Sequence, residues 1–200
     1  MATGRLHILP LTDDDEARLV AALQNGTDGA FASLYHLYAH RVAGVVRLLL
    51  GDHGAEDAVQ ETFLRVHKHI EAFRGDARLS TWIHRIAVNV CLSELRKRRS
   101  RGQTVELAEQ DEPTEHTEQT WIDRDAGHAL LGLLNRLDPI KRATFHLHHV
   151  EDLTAAEIGE VLGEPRATVL KRLQRTRVEL LDAWHAAQKT QANRQRGGQR

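Results

Sequence analysis

The stretch LTAAEIGEVLGEPRATVLKRLQRTRVEL, residues 153–180, decides the architecture of the C-terminal part of the chain. Thr154 and Glu157 have the spacing of a capping box, which marks the start of a short helix. Gly163 is suited to end that helix, and Pro165 is suited to the first position of the next helix, where its missing N–H costs nothing. Two short helices joined by a tight glycine turn predict a helix-turn-helix.

The second helix of this pair is predicted to have an apolar face and a basic face. At about 100° per residue, the apolar face consists of Val169, Leu173, Thr176 and Leu180. The opposite face and its flanks carry Arg166, Lys171, Arg172, Gln174, Arg175 and Arg177, and no acid occurs among residues 165–178. Such a face fits the major groove of duplex DNA, where Arg and Lys contact guanine and phosphate and Gln contacts adenine. The open alternative is an ordinary helical hairpin whose basic face is solvated.

Apolar residues upstream of this stretch also recur at helical spacing, and no convincing run of strict alternation indicates a strand. Helices are predicted at about 28–50 and 54–72, and Ser80 is predicted to cap a third helix that runs to about 100. Further helices are predicted at about 121–136, 139–150, 154–162 and 165–187. The chain is therefore predicted to be all-α.

An acidic segment separates the two helical parts. Residues 103–125 contain eight acids and one Arg and few apolar side chains, so little burial could offset the entropy of ordering them. The predicted organisation is two small helical domains joined by an acidic flexible linker, with disordered ends. Its segments are a disordered extension at 1–15, a helical domain at 16–101, the linker at 102–124, a helix-turn-helix domain at 125–187 and a disordered basic tail at 188–200.

The helix predicted to run from Ser80 to about 100 carries an aromatic residue among cations. Trp82, Arg85, Asn89 and Arg96 are predicted to share one face, and the preceding loop, Phe73 to Leu79, could form a pocket for a base. Single-stranded nucleic acid is bound by such surfaces, because a ring stacks on an unpaired base while Arg neutralises phosphate. The open alternative is surface next to a core edge.

The helix predicted at about 54–72 presents a different surface. Asp57, Glu61, Leu64 and Lys68 lie opposite its predicted buried face, with Gln60 beside them. An outward leucine framed by acids and an amide suits a protein partner with basic groups, although single exposed leucines are normal. Both readings stay open on spacing alone.

Several classes of function are excluded by what the sequence lacks. The longest apolar stretch, Val42 to Leu50, contains Arg47 and is far shorter than the roughly 20 residues of a spanning helix. The start lacks the core of a signal peptide, so we expect a cytoplasmic protein. The only cysteine, Cys91, is expected to pack in the core rather than to sense redox state.

The histidines and motifs do not indicate an enzyme. His36 and His40 have metal-ligand spacing and residues 146–149 read HLHH, but neither group has a third ligand nearby in sequence. No HExxH, GxSxG or phosphate-binding glycine pattern occurs. We expect no catalytic residue, no metal, no cofactor and no small-molecule substrate.

Three segments together resemble a known family. DHGAEDAVQETFLRVHKHI at 52–70, FRGDARLSTWIHRIAVNVCLSELRKRRS at 73–100 and LTAAEIGEVLGEPRATVLKRLQRTR at 153–177 resemble bacterial sigma-70-type sigma factors, and the two-domain form resembles the extracytoplasmic-function (ECF) group. The resemblance implies a protein that binds core RNA polymerase through its clamp helices and flap, directs it to promoters and opens the duplex. It also implies control by an anti-sigma factor and a linker that threads through the polymerase.

The resemblance assigns three sets of residues. Those that resemble the polymerase-binding surface are Asp57, Gln60, Glu61 and Leu64. Those that resemble the reader of the melted minus-10 element in domain 16–101, called sigma region 2, are Phe73, Arg74, Asp76, Ser80, Thr81, Trp82, Arg85, Asn89 and Arg96. Those that resemble the reader of the duplex minus-35 element in domain 125–187, called sigma region 4, are Arg166, Ala167, Leu170, Lys171, Arg172, Gln174 and Arg175. Leu170 and Lys171 stand where many relatives have Lys-Ser, so no promoter sequence is transferred.

The main alternative is an operator-binding regulator. Such a protein would use the same helix-turn-helix on duplex DNA without melting it, and its dimer symmetry would predict palindromic half-sites. Strong promoter binding that requires core polymerase would distinguish a sigma factor from this alternative.

Overall fold

The computed structural model describes residues 12–101 and 131–197, and for residues 189–197 it describes the backbone only. The chain divides into two compact units, Met1–Gln103 and Thr104–Arg200. The described residues form helices, turns and loops and no strand, so the prediction of an all-α chain is confirmed. The predicted linker at 102–124 lies outside the described residues.

The described part of the N-terminal unit contains four α-helices and a short 3-10 turn. They are α1 Asp13–Gln24, α2 Ala30–Leu50, α3 Ala55–His69, the 3-10 turn Ile70–Ala72 and α4 Leu79–Ser100. Helices α2, α3 and α4 pack against one another, and α1 packs against α2 and the 3-10 turn. The core formed between α2, α3 and α4 includes Leu34, Val45, Leu49, Val66 and Ile83, each of which is inaccessible to solvent.

Helix α1 corrects the last four residues, 12–15, of the extension at 1–15 that was predicted to be disordered. The helix begins at Asp13 and is capped by Thr12, whose side-chain oxygen accepts a hydrogen bond from Asp15 N at 3.2 Å. Four acidic residues fill its first turn, where negative charge interacts favourably with the helix dipole. Residues 12–15 of the predicted extension are therefore the cap and first turn of a helix, while residues 1–11 lie outside the described residues.

Arg98 joins the end of α2 to α4. Its guanidinium donates to the carbonyls of Leu50 at 3.2 Å and His53 at 2.9 Å, and it pairs with Glu94 at 3.2 Å. Gly54 has φ +81°, and a Cβ there would lie 2.6 Å from Arg98 Nη2. Arg98 therefore satisfies carbonyls at and after the end of α2, and it belongs to the packing of the unit although it stands in a run of basic residues, RKRRSR at 96–101.

Cys91 is completely buried on α4, and burial raises the pKa of its thiol to about 12. We expect the native protein to resist thiol alkylation at mildly alkaline pH and to react quickly in concentrated urea, as mass spectrometry would measure. The unfolded thiol ionises near its ordinary pKa of 9.0. The unfolded state loses its proton first as pH rises, so the free energy of unfolding falls between the two pKa values by about 1.4 kcal/mol per pH unit. Rapid alkylation of the native protein would contradict this packing role.

The C-terminal unit begins, among the described residues, with a helical segment at 131–136. It continues with α5 Pro139–His149, α6 Ala155–Leu162 and α7 Arg166–Gly197. Asp138 caps α5 by accepting from Ile140 N at 3.1 Å and Lys141 N at 3.0 Å, and Pro139 follows at the first position of the helix. Helix α7 packs against both α5 and α6.

Helix α7 is longer than predicted. It continues to Gly197, into the segment 188–200 that was predicted to be a disordered tail. Alanine, glutamine, lysine and arginine are good helix formers, and neither glycine nor proline occurs between Arg166 and Arg196. The polar composition of this segment is therefore compatible with a continuing helix.

Candidate nucleic-acid and protein interfaces

The helix-turn-helix has the local geometry that its sequence predicts. The Thr154 side chain accepts from Glu157 N at 3.3 Å, and Glu157 Oε2 accepts from Thr154 N at 2.8 Å, which completes the capping box. Gly163 ends α6 in the left-handed conformation at φ +69°. Within α6, a Cβ on Gly159 would lie 2.6 Å from the carbonyl oxygen of Glu164, so the turn can close only on a glycine there.

The buried face of α7 also matches its pattern. Val169, Thr176 and Leu180 are buried, while Leu173 is half-buried. Arg166 follows Pro165, whose carbonyl accepts from Thr168 N at 2.9 Å. The helix thus starts one residue later than predicted, with Pro165 providing its first hydrogen-bond acceptor.

Arg172 differs from the other predicted DNA-binding residues of α7. Its Nη2 lies 2.7 and 2.9 Å from the two carboxylate oxygens of Glu164, and its Nη1 donates to Thr144 Oγ1 at 3.4 Å. Only 17% of the Arg172 side chain is exposed. It therefore joins the turn, α5 and α7, whereas six predicted DNA-binding residues are exposed on the same helix: Arg166, Ala167, Leu170, Lys171, Gln174 and Arg175.

We expect Arg172→Ala to lower the free energy of unfolding of the C-terminal unit by about 1–3 kcal/mol, because it leaves the half-buried Glu164 carboxylate without its partner. Arg175→Ala, at an exposed position on the same helix, should change it by less than about 0.5 kcal/mol. Urea unfolding followed by circular dichroism compares the two variants. Equal stability of both variants would place Arg172 outside the packing of this unit.

The predicted stripe on α4 is present. Arg85, Asn89 and Arg96 are exposed, and the half-buried ring of Trp82 lies 5.2 Å from the ring of Phe73, measured between centroids. The loop before α4 exposes Arg74 and Asp76. An aromatic pair next to cations and an exposed loop is a surface on which unpaired bases can stack.

Two residues of the predicted set have other positions. Thr81 is only 1% exposed, although it lies one helical turn before the exposed Arg85 on the same side of α4. Ser80 does not cap α4: the helix begins at Leu79, the cap position is Arg78, and the Ser80 carbonyl accepts from His84 Nδ1 at 2.8 Å. Leu79 N instead donates to Glu16 of α1, a partner 63 positions away that local sequence patterns cannot identify.

The predicted protein-binding surface lies on α3. Asp57 and Gln60 are exposed, Leu64 is 59% exposed, and the half-exposed Glu61 pairs with Arg65 at 2.7 Å. Gln60 and Leu64 line one side of a groove of about 920 Å³ between α2 and α3. Aromatic and imidazole side chains that also line it are Phe31, Tyr35, Phe63 and His67.

Tyr35 belongs to the apolar stripe of α2 and is 44% exposed. Its ring lies 4.7 Å from Phe63, so it forms the apolar floor of the groove with α3. The apolar stripe of α2 is wide enough to serve both the core and this groove, and the helical spacing does not separate the two uses.

Other kinds of site receive no support from the described part of the chain. Residues 12–101 and 131–188 contain no group of three or more His, Cys, Asp or Glu side chains able to hold a metal ion. None of the helices described is both long enough and apolar enough to cross a membrane.

Comparison with known proteins places these surfaces in a family. Residues 34–101 match the model of sigma-70 region 2, and residues 127–180 match the model of sigma-70 region 4. The chain is 32% identical over 168 residues to the ECF RNA polymerase sigma factor SigM of Mycobacterium tuberculosis, and the match covers 82% of each chain. The chain belongs to the ECF sigma factors.

Further relatives of this sigma factor differ in length. It is 34% identical over 152 residues to the ECF RNA polymerase sigma factor SigG of Mycobacterium tuberculosis, a match that covers 64% of this chain and 41% of that relative. The chain therefore spans less than half the length of SigG and most of the length of SigM. Its fold is also that of the sigma factor RpoE of Bartonella quintana, solved with the anti-sigma factor NepR, at a TM-score of 0.66 and 20% identity over 78% of this chain and 98% of that one.

Proposed function

We propose that this ECF sigma factor binds core RNA polymerase, recognises minus-10 and minus-35 promoter elements, and opens the duplex to initiate transcription. The observation that carries the proposal is the surface of α4 and its loop, where the half-buried rings of Trp82 and Phe73 lie next to exposed cations, because a regulator of intact duplex DNA has no need of it. The protein provides contacts only and performs no chemistry of its own. We propose a cytoplasmic site of action, where RNA polymerase and promoters are found.

The exposed residues of α7 read the minus-35 element as duplex. Helix α7 enters the major groove, where Lys171, Gln174 and Arg175 contact bases or phosphates and Arg166 contacts phosphate. Leu170, which is 45% exposed, offers an apolar contact such as that made with a thymine methyl group. Arg172 acts indirectly, because its pair with Glu164 fixes the turn from which α7 begins.

The loop and face of α4 read the minus-10 element as a melted strand. An unpaired base is proposed to enter the loop at 73–78, while Trp82 and Phe73 provide a stacking surface. Arg85, Asn89 and Arg96 follow along α4 at successive exposed positions and contact the backbone of the strand. Because the stacking and the entry of a base into the loop need an unpaired strand, binding favours the open duplex over the closed one.

The α3 surface binds the polymerase clamp helices. Asp57, Gln60 and Glu61 provide polar contacts around Leu64, and the adjacent groove accepts apolar side chains of the partner. The C-terminal unit contacts the flap, and the acidic segment 102–124 threads between the two sites. We further propose that an anti-sigma factor covers these surfaces until it is released, as the pairing of RpoE with NepR suggests for that relative.

We expect Leu64→Ser to raise the Kd for core polymerase about tenfold or more, because burying a leucine side chain contributes about 1.5–3 kcal/mol. His69→Ser is the matched control: His69 is exposed on the same helix, and five residues of helix turn it about 140° away from Leu64. Titration of labelled protein with core polymerase measures both affinities. A Kd for Leu64→Ser equal to that of the control would move the interface elsewhere.

Run-off transcription tests the proposed function as a whole. The full chain and sigma-free core polymerase are incubated with a genomic fragment library, and the transcripts are sequenced. Discrete start sites that share two spaced upstream motifs and require the protein support the proposal. Identical products with and without the protein, using polymerase of the native organism, would overturn it. Duplex binding without polymerase at palindromic sites would favour the operator-binding regulator instead.

A further inference from the structure

Helix α1 contacts both ends of the loop at 73–78. At the first end, Gln24 Nε2 donates to the carbonyl oxygens of Phe73 at 2.8 Å and Ile70 at 3.2 Å. At the second end, Glu16 Oε1 accepts from Leu79 N at 2.7 Å. Eight residues of one helix, about 12 Å of its length, separate the two contacts. The matched sigma-70 region 2 model begins at residue 34, so both residues lie outside it.

The Glu16 contact replaces a cap that α4 lacks. Arg78 occupies the N-cap position without a side-chain hydrogen bond to the helix, so the first N–H groups of α4 need another acceptor. A carboxylate at a helix N-terminus accepts a charge-assisted hydrogen bond and interacts favourably with the helix dipole. Glu16 therefore fixes the start of α4, and Trp82 lies in the first turn that follows.

The middle of the loop depends on its ends for its shape. Arg74, Gly75, Asp76 and Arg78 are exposed, and Gly75 has φ +75° with open space where a Cβ would stand. An exposed loop that contains a glycine has much conformational entropy to lose when it binds a ligand. Fixing both ends in advance reduces that loss and so favours binding.

We infer that α1 is a brace for the loop at 73–78, in which Glu16 and Gln24 are positioning residues. They hold the loop and Trp82 in the arrangement that selects the unpaired minus-10 base. The inference rests on the proposed function and adds to it a determinant of base selectivity outside the DNA-contacting residues. Glu16 and Gln24 contact the backbone of the loop and are not themselves base readers.

Three variants and one control test the role of α1 as a brace. Glu16→Ala removes the acceptor for Leu79 N, whereas Glu16→Gln retains a side-chain oxygen in the same place. Gln24→Glu keeps the shape of the side chain but removes the donor to the two carbonyls. Asp14→Ala removes an exposed carboxylate from the same first turn of α1 and leaves both contacts in place.

The measurement uses the full chain with core polymerase on a promoter identified by run-off transcription. Open-complex formation is compared between the parental promoter and versions with each other base at the most selective minus-10 position. Glu16→Ala and Gln24→Glu should lower the preference for the parental base about five- to tenfold, while Glu16→Gln and Asp14→Ala stay within about twofold. Polymerase affinity and Tm are measured in parallel, and Glu16→Ala should speed hydrogen exchange at Leu79 N.

Each outcome distinguishes the inference from the proposed function. Parental selectivity in Glu16→Ala and Gln24→Glu, with selectivity lost in Trp82→Ala, would overturn the inference that α1 is a brace. The proposed function would still stand. A loss in Glu16→Gln as large as in Glu16→Ala would also overturn it, because the hydrogen bond to Leu79 would then not be the cause. Parental opening and selectivity in Trp82→Ala would overturn the proposed role of the loop, and with it the inference that α1 is a brace.

Discussion

Trp82→Ala should slow promoter opening about five- to hundredfold and leave closed-complex formation nearly unchanged. Stacking of an unpaired base on an aromatic ring contributes about 1–3 kcal/mol, and every 1.4 kcal/mol corresponds to about a factor of ten. The base is paired within the duplex in the closed complex, so the ring has no partner until the strands separate. Stopped-flow fluorescence of a base analogue in the minus-10 element measures opening, and filter binding at low temperature measures the closed complex.

Trp82→Phe is the control for this prediction. Phenylalanine keeps an aromatic ring next to Phe73, 5.2 Å from the present indole, so it should restore most of the opening rate. Circular dichroism checks that Trp82→Ala retains the helical content of the parent. Equal losses in closed-complex formation and opening would contradict a role confined to the melted strand.

Replacing both Lys171 and Arg175 with alanine should weaken binding of the minus-35 element at least tenfold and lower the salt slope by about two. Each cation that contacts phosphate releases counterions when it binds, so its loss removes about one unit from the slope. Both side chains are exposed on α7, so the fold of the unit should be retained. Holoenzyme affinity for duplex promoter DNA, measured between about 50 and about 200 mM salt, gives both quantities.

Arg136→Ala provides the matched control for this pair. Arg136 is an exposed arginine of the same unit that lies in the helical segment 131–136 rather than on α7. Its loss changes the net charge of the unit but should leave the salt slope parental. An unchanged slope in the Lys171 and Arg175 variant would count against α7 as the helix that reads DNA.

The helix-turn-helix could be predicted closely because its signals are local. The capping box of Thr154 and Glu157 and the left-handed Gly163 are each decided by neighbours within a few residues, and both are present. The buried face of α7 follows from periodicity alone. The predictions of helices α2, α3 and α4 succeeded for the same reason, although the start of α4 did not.

The residues that could not be placed depend on partners far away in sequence. Arg98 bonds to carbonyls 45 and 48 positions away, and Arg172 contacts Thr144, 28 positions away. Both arginines stand in basic runs, and composition alone predicts that such runs bind nucleic acid. Helix α1 was not among the predicted helices, although Thr12 and Asp15 form a local capping pair at its start.

Different residues of α7 pack inward and face outward, and this separation has a practical consequence for engineering. Val169, Arg172 and Thr176 face inward and hold the helix to its unit, while Arg166, Ala167, Leu170, Lys171, Gln174 and Arg175 face outward. Libraries that randomise the outward positions and retain the inward ones should therefore yield stable proteins with altered promoter preference. The scaffold could supply sets of orthogonal transcription switches, each addressed to its own synthetic promoter.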